Sequence, residues 1–168
     1  RRFNEEYGPV FVQCEPLGGD IGRLVGTDGQ EKMSKSLGNA VSLSDPADVV
    51  KEKVMGMYTD PNRTRADVPG ETENNPVFVY LRAFDPDQEE VAELTERYQQ
   101  GRVGDVEVKM VLVRVLNEFL EPIRERRAQY ETANIRDILI EGTEVAQKAA
   151  KPVLEAVRDY MHLGYPQK

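Results

Sequence analysis

The feature that most constrains this chain is a run of apolar residues at helical spacing. Val108, Leu112, Val115, Leu116, Phe119, Leu120 and Ile123 recur at helical intervals, with Lys109, Arg114, Glu118 and Glu121 between them. Such a pattern predicts a long core helix, with Pro122 inside it as a kink or a new first turn. Cap signals place further helices around it. Asp45 is a suitable N-cap with Pro46 at the first helical position, Asp48 suits the helix dipole, and Val50, Val54 and Met57 form one apolar stripe. Asn75-Pro76 repeats that start before "VFVYLRAF". Asp85-Pro86 or Asp87 starts "QEEVAELTERYQQG", which Gly101 ends. A last helical region is expected from about Asn134 to Leu163, interrupted at Gly142 and Pro152.

Before residue 45 the character differs. "GPVFVQCEPL" is a short run rich in β-branched and aromatic residues and reads as a buried strand, and "RLVG" followed by "TDGQ" reads as a second strand and a turn. The predicted architecture is therefore mixed: a short α/β tail, then an all-α helical bundle, with the boundary near residue 45. Composition narrows the function classes. A formal net charge of −8 argues against a protein that coats nucleic acid nonspecifically, although it leaves room for a local basic site. His162 is the only histidine and Cys14 the only cysteine, so no protein-bound metal is expected and no internal disulfide is possible. The lone cysteine points to a reducing cytoplasm. No run is long and apolar enough to span a bilayer, so no membrane association is expected.

One segment asks for chemistry. Lys32, Met33, Ser34, Lys35 and Ser36 lie between Gly29 and Gly38. A solvated loop would have this composition, and on composition alone that reading stays ahead. The sharper reading is a polyphosphate grip, in which two ammonium groups on a glycine-flanked hairpin fold over a phosphate chain and serine hydroxyls add donors.

The exact string "KMSKS", in the wider context "GTDGQEKMSKSLGNAVSLSD", resembles the second signature motif of class I aminoacyl-tRNA synthetases. "YTDPNRTRAD", then "NPVF", and the terminal "ILIEGTEVAQKAAKPVLEAVRDYMHLGY" are similar to the tryptophanyl branch of that family, so the resemblance covers nearly the whole chain. The histidine-containing first signature, the amino-acid pocket and the first half of the nucleotide-binding sheet find no counterpart here, so the chain resembles the C-terminal half of such an enzyme.

The resemblance implies that residues 1–44 are the end of a Rossmann-like nucleotide-binding catalytic domain and residues 45–168 an α-helical anticodon-binding domain. It implies ATP with Mg²⁺, tryptophan and tRNA(Trp) as substrates and partners, and a homodimer in the full enzyme. Lys32 and Lys35 would stabilise departing pyrophosphate, Ser34 and Ser36 would donate to phosphate oxygens, Met33 would pack against the nucleotide, and Arg23 would lie where the adenine is held. Arg124, Arg126 and Arg127 in "RERR" have two readings, contacts to RNA phosphates or a solvated face paired with Glu121, Glu125 and Glu131. Arg63, Arg65 and Arg136 are further tRNA-binding candidates. Two other functions stay open: a tyrosyl or other class I synthetase, and a noncatalytic synthetase-derived module that binds RNA or protein.

Overall fold

A computed structural model describes residues 1–18, 22, 24–30, 32–61, 63, 65–131 and 134–164. The described residues form six α-helices: α1 (Arg2–Glu6), α2 (Ala47–Met55), α3 (Pro76–Phe84), α4 (Gln88–Gln99), α5 (Asp105–Glu131) and α6 (Ile135–Tyr160). The chain divides into two compact units, one made of residues 1–18 with 130–168 and the other of residues 19–129. Residue 45 thus lies inside the second unit, in which the lysine-containing segment and the helices from α2 to α5 are parts of one body.

The second unit holds the core. Val50 and Val54 of α2, Val77, Phe78, Tyr80 and Leu81 of α3, Val91, Leu94 and Tyr98 of α4, and Val108, Leu112, Val115, Leu116 and Leu120 of α5 are all buried. The α5 stripe is the one its spacing predicts, except that Phe119 is 45% exposed and Ile123 only partly buried. Ring contacts tie the helices together, Phe78 with Tyr98 at 4.8 Å and Phe84 with Phe119 at 5.1 Å. Caps act where local chemistry dictates. The Asn75 side chain accepts from Val77 N at 3.0 Å, and Asp87 accepts from Glu89 N and Glu90 N, so Asp87 rather than Asp85 starts α4. Gly101, with φ +66°, follows the end of α4.

Four expectations are corrected. Pro46, not Asp45, is the N-cap of α2; the Asp45 carboxylate instead accepts from Ser42 N at 2.8 Å and Lys53 Nζ at 2.6 Å. Burial alone would raise the Asp45 carboxyl, but Lys53, the Ser42 amide and the Arg124 charge outweigh it and hold the group below its ordinary value. Of the two readings of Pro122, the new first turn is ruled out, because α5 runs through it. Gly142 and Pro152 do not interrupt α6, which is continuous over 26 residues.

The strands are the fourth correction: among the described residues there is none. Residues 9–18 are irregular, with Val12 89% exposed and Leu17 fully exposed, so "GPVFVQCEPL" is not a buried strand. A strand exists only through a ladder to a neighbour, and no described segment supplies one. The described part of the expected α/β tail is thus without a sheet, whereas the helical part is borne out.

In the first unit, α1 turns back through Asn4, whose side chain accepts from Val10 N and Phe11 N and donates to Phe11 O. Gly8, at φ +130°, lies against the Tyr160 ring, where a Cβ would come within 2.4 Å. None of the α6 residues is buried, and Ile135, Ile138, Leu139, Val145 and Leu154 leave its apolar stripe exposed.

Candidate functional site

The lysine-containing segment is built on the second unit. Leu24, Val25, Met33 and Val41 pack against its core, and Tyr80 donates its hydroxyl to Val25 O at 2.9 Å. Burial pushes the Tyr80 phenol up to about 12, so the hydroxyl remains a donor across the ordinary pH range. The expected turn at Asp28-Gly29 forms: Gly29 has φ +78°, its amide donates to Gly26 O at 3.0 Å, and Gly26 N donates to Gln30 O at 3.0 Å. Tyr58 N donates to Thr27 O at 2.8 Å, and its ring lies so near Gly29 that a Cβ there would come within 2.8 Å. Tyr58 therefore supports the turn and stays 44% exposed, whereas Met57 next to it is buried in the core.

After the turn, Ser34 is extended (φ −148°, ψ 137°), Lys35–Leu37 form a single 3₁₀ turn, and Gly38 closes it at φ +68°. Ser34 Oγ and Ser36 Oγ are 2.8 Å apart and share a hydrogen bond, so the two serine hydroxyls sit side by side. Lys32 and Lys35 are exposed, and among the described residues neither has an ion-pair partner. Met33 is half-buried against the core. The segment leaves the loop at Ala40, whose carbonyl accepts from Lys53 Nζ at 2.9 Å. A cavity of about 610 Å³ opens beside it, lined by Met33, Ser34, Lys35, Val41, Leu43, Ile123 and Arg127. Lys35 of the loop and Arg127 near the end of α5 thus border the same cavity, whereas Lys32 does not line it. Arg23, expected near the adenine, lies outside the described residues. Among the described residues no group of three or more His, Cys, Asp or Glu side chains is placed to hold a metal ion.

The six arginines proposed from the sequence separate into two sets. Arg63 is buried, and its guanidinium is engaged within the protein. Nε donates to Val68 O at 2.7 Å, Nη2 to Ala66 O at 2.8 Å and to Val103 O, Nη1 lies 3.3 Å from the Asp105 carboxylate, and the group stacks 3.9 Å over the Tyr98 ring. Arg124 donates to Asp45 O, Asn117 Oδ1 and Glu121, which binds α5 to the start of α2. Arg65 is exposed and paired with Asp67 at 2.9 Å. Arg126, Arg127 and Arg136 are exposed. Of these, Arg127 alone lines the cavity beside the loop.

Sequence reasoning passed over Asn39, which is 3% exposed in a loop of polar residues and bonded on every side. Its signal was present as the last residue of "KMSKSLGN", but an asparagine after a glycine reads first as a turn residue.

Comparison with known proteins gives the family. The family model for class I tRNA synthetases (W and Y) matches residues 1–121. The tryptophan–tRNA ligase of Treponema pallidum is 54% identical over 166 residues, which are 98% of this chain and 49% of that protein. That of Borreliella burgdorferi is 46% identical over 168 residues, 98% of this chain and 48% of that protein. Among solved structures, tryptophanyl-tRNA synthetase from Campylobacter jejuni, complexed with ADP and tryptophan, superposes with a TM-score of 0.74 at 26% identity, covering 96% of this chain and 50% of that one. The chain thus spans about half the length of the relatives it matches. No helix among the described residues is long and apolar enough to cross a membrane. With its lysine segment, helical unit and two sets of relatives in agreement, the chain belongs to the class I tRNA synthetases of the W and Y group.

Proposed function

We propose that this chain is the C-terminal half of a tryptophan–tRNA ligase and supplies the loop that grips the phosphates of ATP. In the activation step a tryptophan carboxylate oxygen bonds to the α-phosphorus of ATP, the bond from that phosphorus to the oxygen bridging to the β-phosphate breaks, and pyrophosphate leaves with its electron pair. No general base is needed, since a carboxylate is already a nucleophile. The demand is for positive charge where pyrophosphate departs. Lys32 and Lys35 meet it, Ser34 and Ser36 donate hydrogen bonds, and Mg²⁺ accompanying ATP would add positive charge at the phosphates. A ribose hydroxyl of the terminal adenosine of tRNA(Trp) then attacks the acyl carbon and gives up its proton, the bond from that carbon to the phosphate oxygen breaks, and AMP leaves.

Residues 1–44 complete a Rossmann-like nucleotide-binding domain in this reading, and the helical region from residue 45 reads the anticodon. Arg126, Arg127 and Arg136 are its exposed cations, while Arg63 and Arg124 hold the protein together. The full-length protein works as a cytoplasmic homodimer. The observation that carries the reading is the state of the two lysines: both are exposed and without an ion-pair partner among the described residues, on a segment whose backbone is pinned to a helical core.

The test is Lys35→Ala in the full-length protein, read by single-turnover adenylate formation. Losing a donor whose contact tightens in the transition state costs about 2.7–4 kcal/mol, roughly a hundred- to thousand-fold in rate, with tryptophan affinity unchanged. A wild-type rate of activation would remove the assignment.

A further inference from the structure

We propose that Asn39 and Asp28 form a latch that sets the pose of the phosphate-gripping loop, which makes them positioning residues for the activation step. The inference rests on the reading of Lys32 and Lys35 given above.

Burying an amide side chain is costly unless its hydrogen-bonding groups are matched, and at Asn39 they are. Oδ1 accepts from Ser34 N at 2.8 Å, while Nδ2 donates to Asp28 Oδ1 and Oδ2 at 3.0 Å each and to Lys32 O at 3.1 Å. The neighbours fix which way the amide points: a backbone N–H only donates and a carboxylate only accepts, so a flipped amide would break both contacts. One side chain therefore holds the backbone on both sides of Met33. It holds the carbonyl of the first lysine and the amide of the residue before the second.

The other end of the latch is fixed to the helical core. Asp28 Oδ1 also accepts from Gln30 N at 3.0 Å, and Thr27 N donates to Asn39 O at 2.9 Å. The same Thr27 accepts from Tyr58 N, three residues beyond the end of α2. Gly26 forms the floor: a Cβ there would come within 2.3 Å of Asn39 Nδ2 and 2.5 Å of Asp28 Oδ1, so a side chain at this position would push the latch apart. The result is a short loop whose backbone is held at Lys32 and Ser34 while its two lysines are exposed and have no ion-pair partner among the described residues. Cations that must meet phosphate oxygens in the transition state need placement of this kind, because a shift of about 1 Å is enough to lose about a hundredfold in rate.

The chemistry of the pair gives a test that bulk loss of structure would not imitate. Asn39→Asp sets two carboxylates facing each other and removes the donor to Lys32 O. Asp28→Asn combined with Asn39→Asp reverses the polarity of the pair: the new amide at 28 donates to the new carboxylate at 39, which still accepts from Ser34 N. In the full-length protein Asn39→Asp is expected to slow adenylate formation about a hundredfold with tryptophan affinity unchanged. The double variant should regain at least tenfold of that loss. Amide hydrogen exchange at Ser34 supplies the structural readout, protected in the wild type, fast in Asn39→Ala, and protected again in the double variant. The proposal is overturned if Asn39→Ala frees the Ser34 amide yet activates tryptophan at the wild-type rate, or if the double variant is no faster than Asn39→Asp. Lys35→Ala is run beside them. If it activates normally, the phosphate-grip reading fails and the proposal with it; if only it is slow, the lysine stands and the latch does not.

Discussion

At the residue scale, an arginine in a sequence is a poor guide to its own role until its surroundings are known. Arg63 and Arg65 are separated by one residue and look alike in "PNRTRAD", yet one is buried over Tyr98 and the other is exposed beside Asp67. Arg63 donates to three carbonyls at once, a task that suits a planar guanidinium and that an ammonium performs badly. Its neighbours depend on it in turn. Tyr98, whose hydroxyl donates to Asp105 at 2.6 Å, is pushed up to about 12 by burial and by that carboxylate, against the opposing pull of Arg63. Gly70 leaves the room, since a Cβ there would come within 2.9 Å of Arg63 Cδ and nearer still to the Tyr98 ring. Arg63→Ala should therefore destabilise the second unit by about 3–5 kcal/mol, the usual cost of removing one partner from a buried ionic network. Arg63→Lys should restore little of it. Urea denaturation followed by circular dichroism measures both, and a variant of wild-type stability would return Arg63 to the tRNA-binding candidates.

At the element scale the local signals transferred best. Asn75 and Asp87 cap the helices they precede, and Gly101 follows α4 at a positive φ, because each needs only groups a few residues away. The α5 stripe was legible because its period is carried by seven residues. What failed depended on partners distant in sequence or on sums over an element. "GPVFVQCEPL" has strand composition, but composition cannot supply the neighbouring strand. Gly142 and Pro152 carry local costs of about 1 and about 3 kcal/mol, which a reading residue by residue takes as breaks and which a cooperative helix of 26 residues absorbs. The candidate site divides in the same way: the lysines and serines were legible as a string, whereas Asn39 and Tyr58 earn their places through contacts the string does not state. The glycine offers a direct test. A Cβ at Gly142 would meet nothing within 4 Å and the position is exposed inside α6, so Gly142→Ala should strengthen the helix by about 0.5–1 kcal/mol. Slower amide exchange across residues 138–150 is the expected result, and unchanged exchange would mean that α6 does not open by fraying at its glycine.

At the scale of the whole molecule, stability is distributed unequally between the two units. Among the described residues, all of the buried apolar side chains lie between Val50 and Leu120, within the second unit, and the first unit, which contains α6, has none. Hydrophobic burial is the dominant favourable term in folding, so the second unit holds most of what keeps this chain folded. The first unit relies on the Asn4 turn, the aromatic contacts of Phe3 with Tyr7 and Phe11, and the Gly8–Tyr160 approach. Contacts of that kind are few and partly exposed, which is the signature of a region that opens without global unfolding. Native-state hydrogen exchange at rising denaturant should therefore resolve two classes of amide in this chain. Those of α5 between Val108 and Leu120 should exchange only through global opening, with a steep denaturant dependence. Those of α6 should exchange through a smaller opening of lower free energy, with a shallow dependence, and the chain should depart from two-state behaviour accordingly. Equal free energies and equal slopes for the two helices would refute the division, and would mean that α6 draws its stability from the same cooperative core as α5.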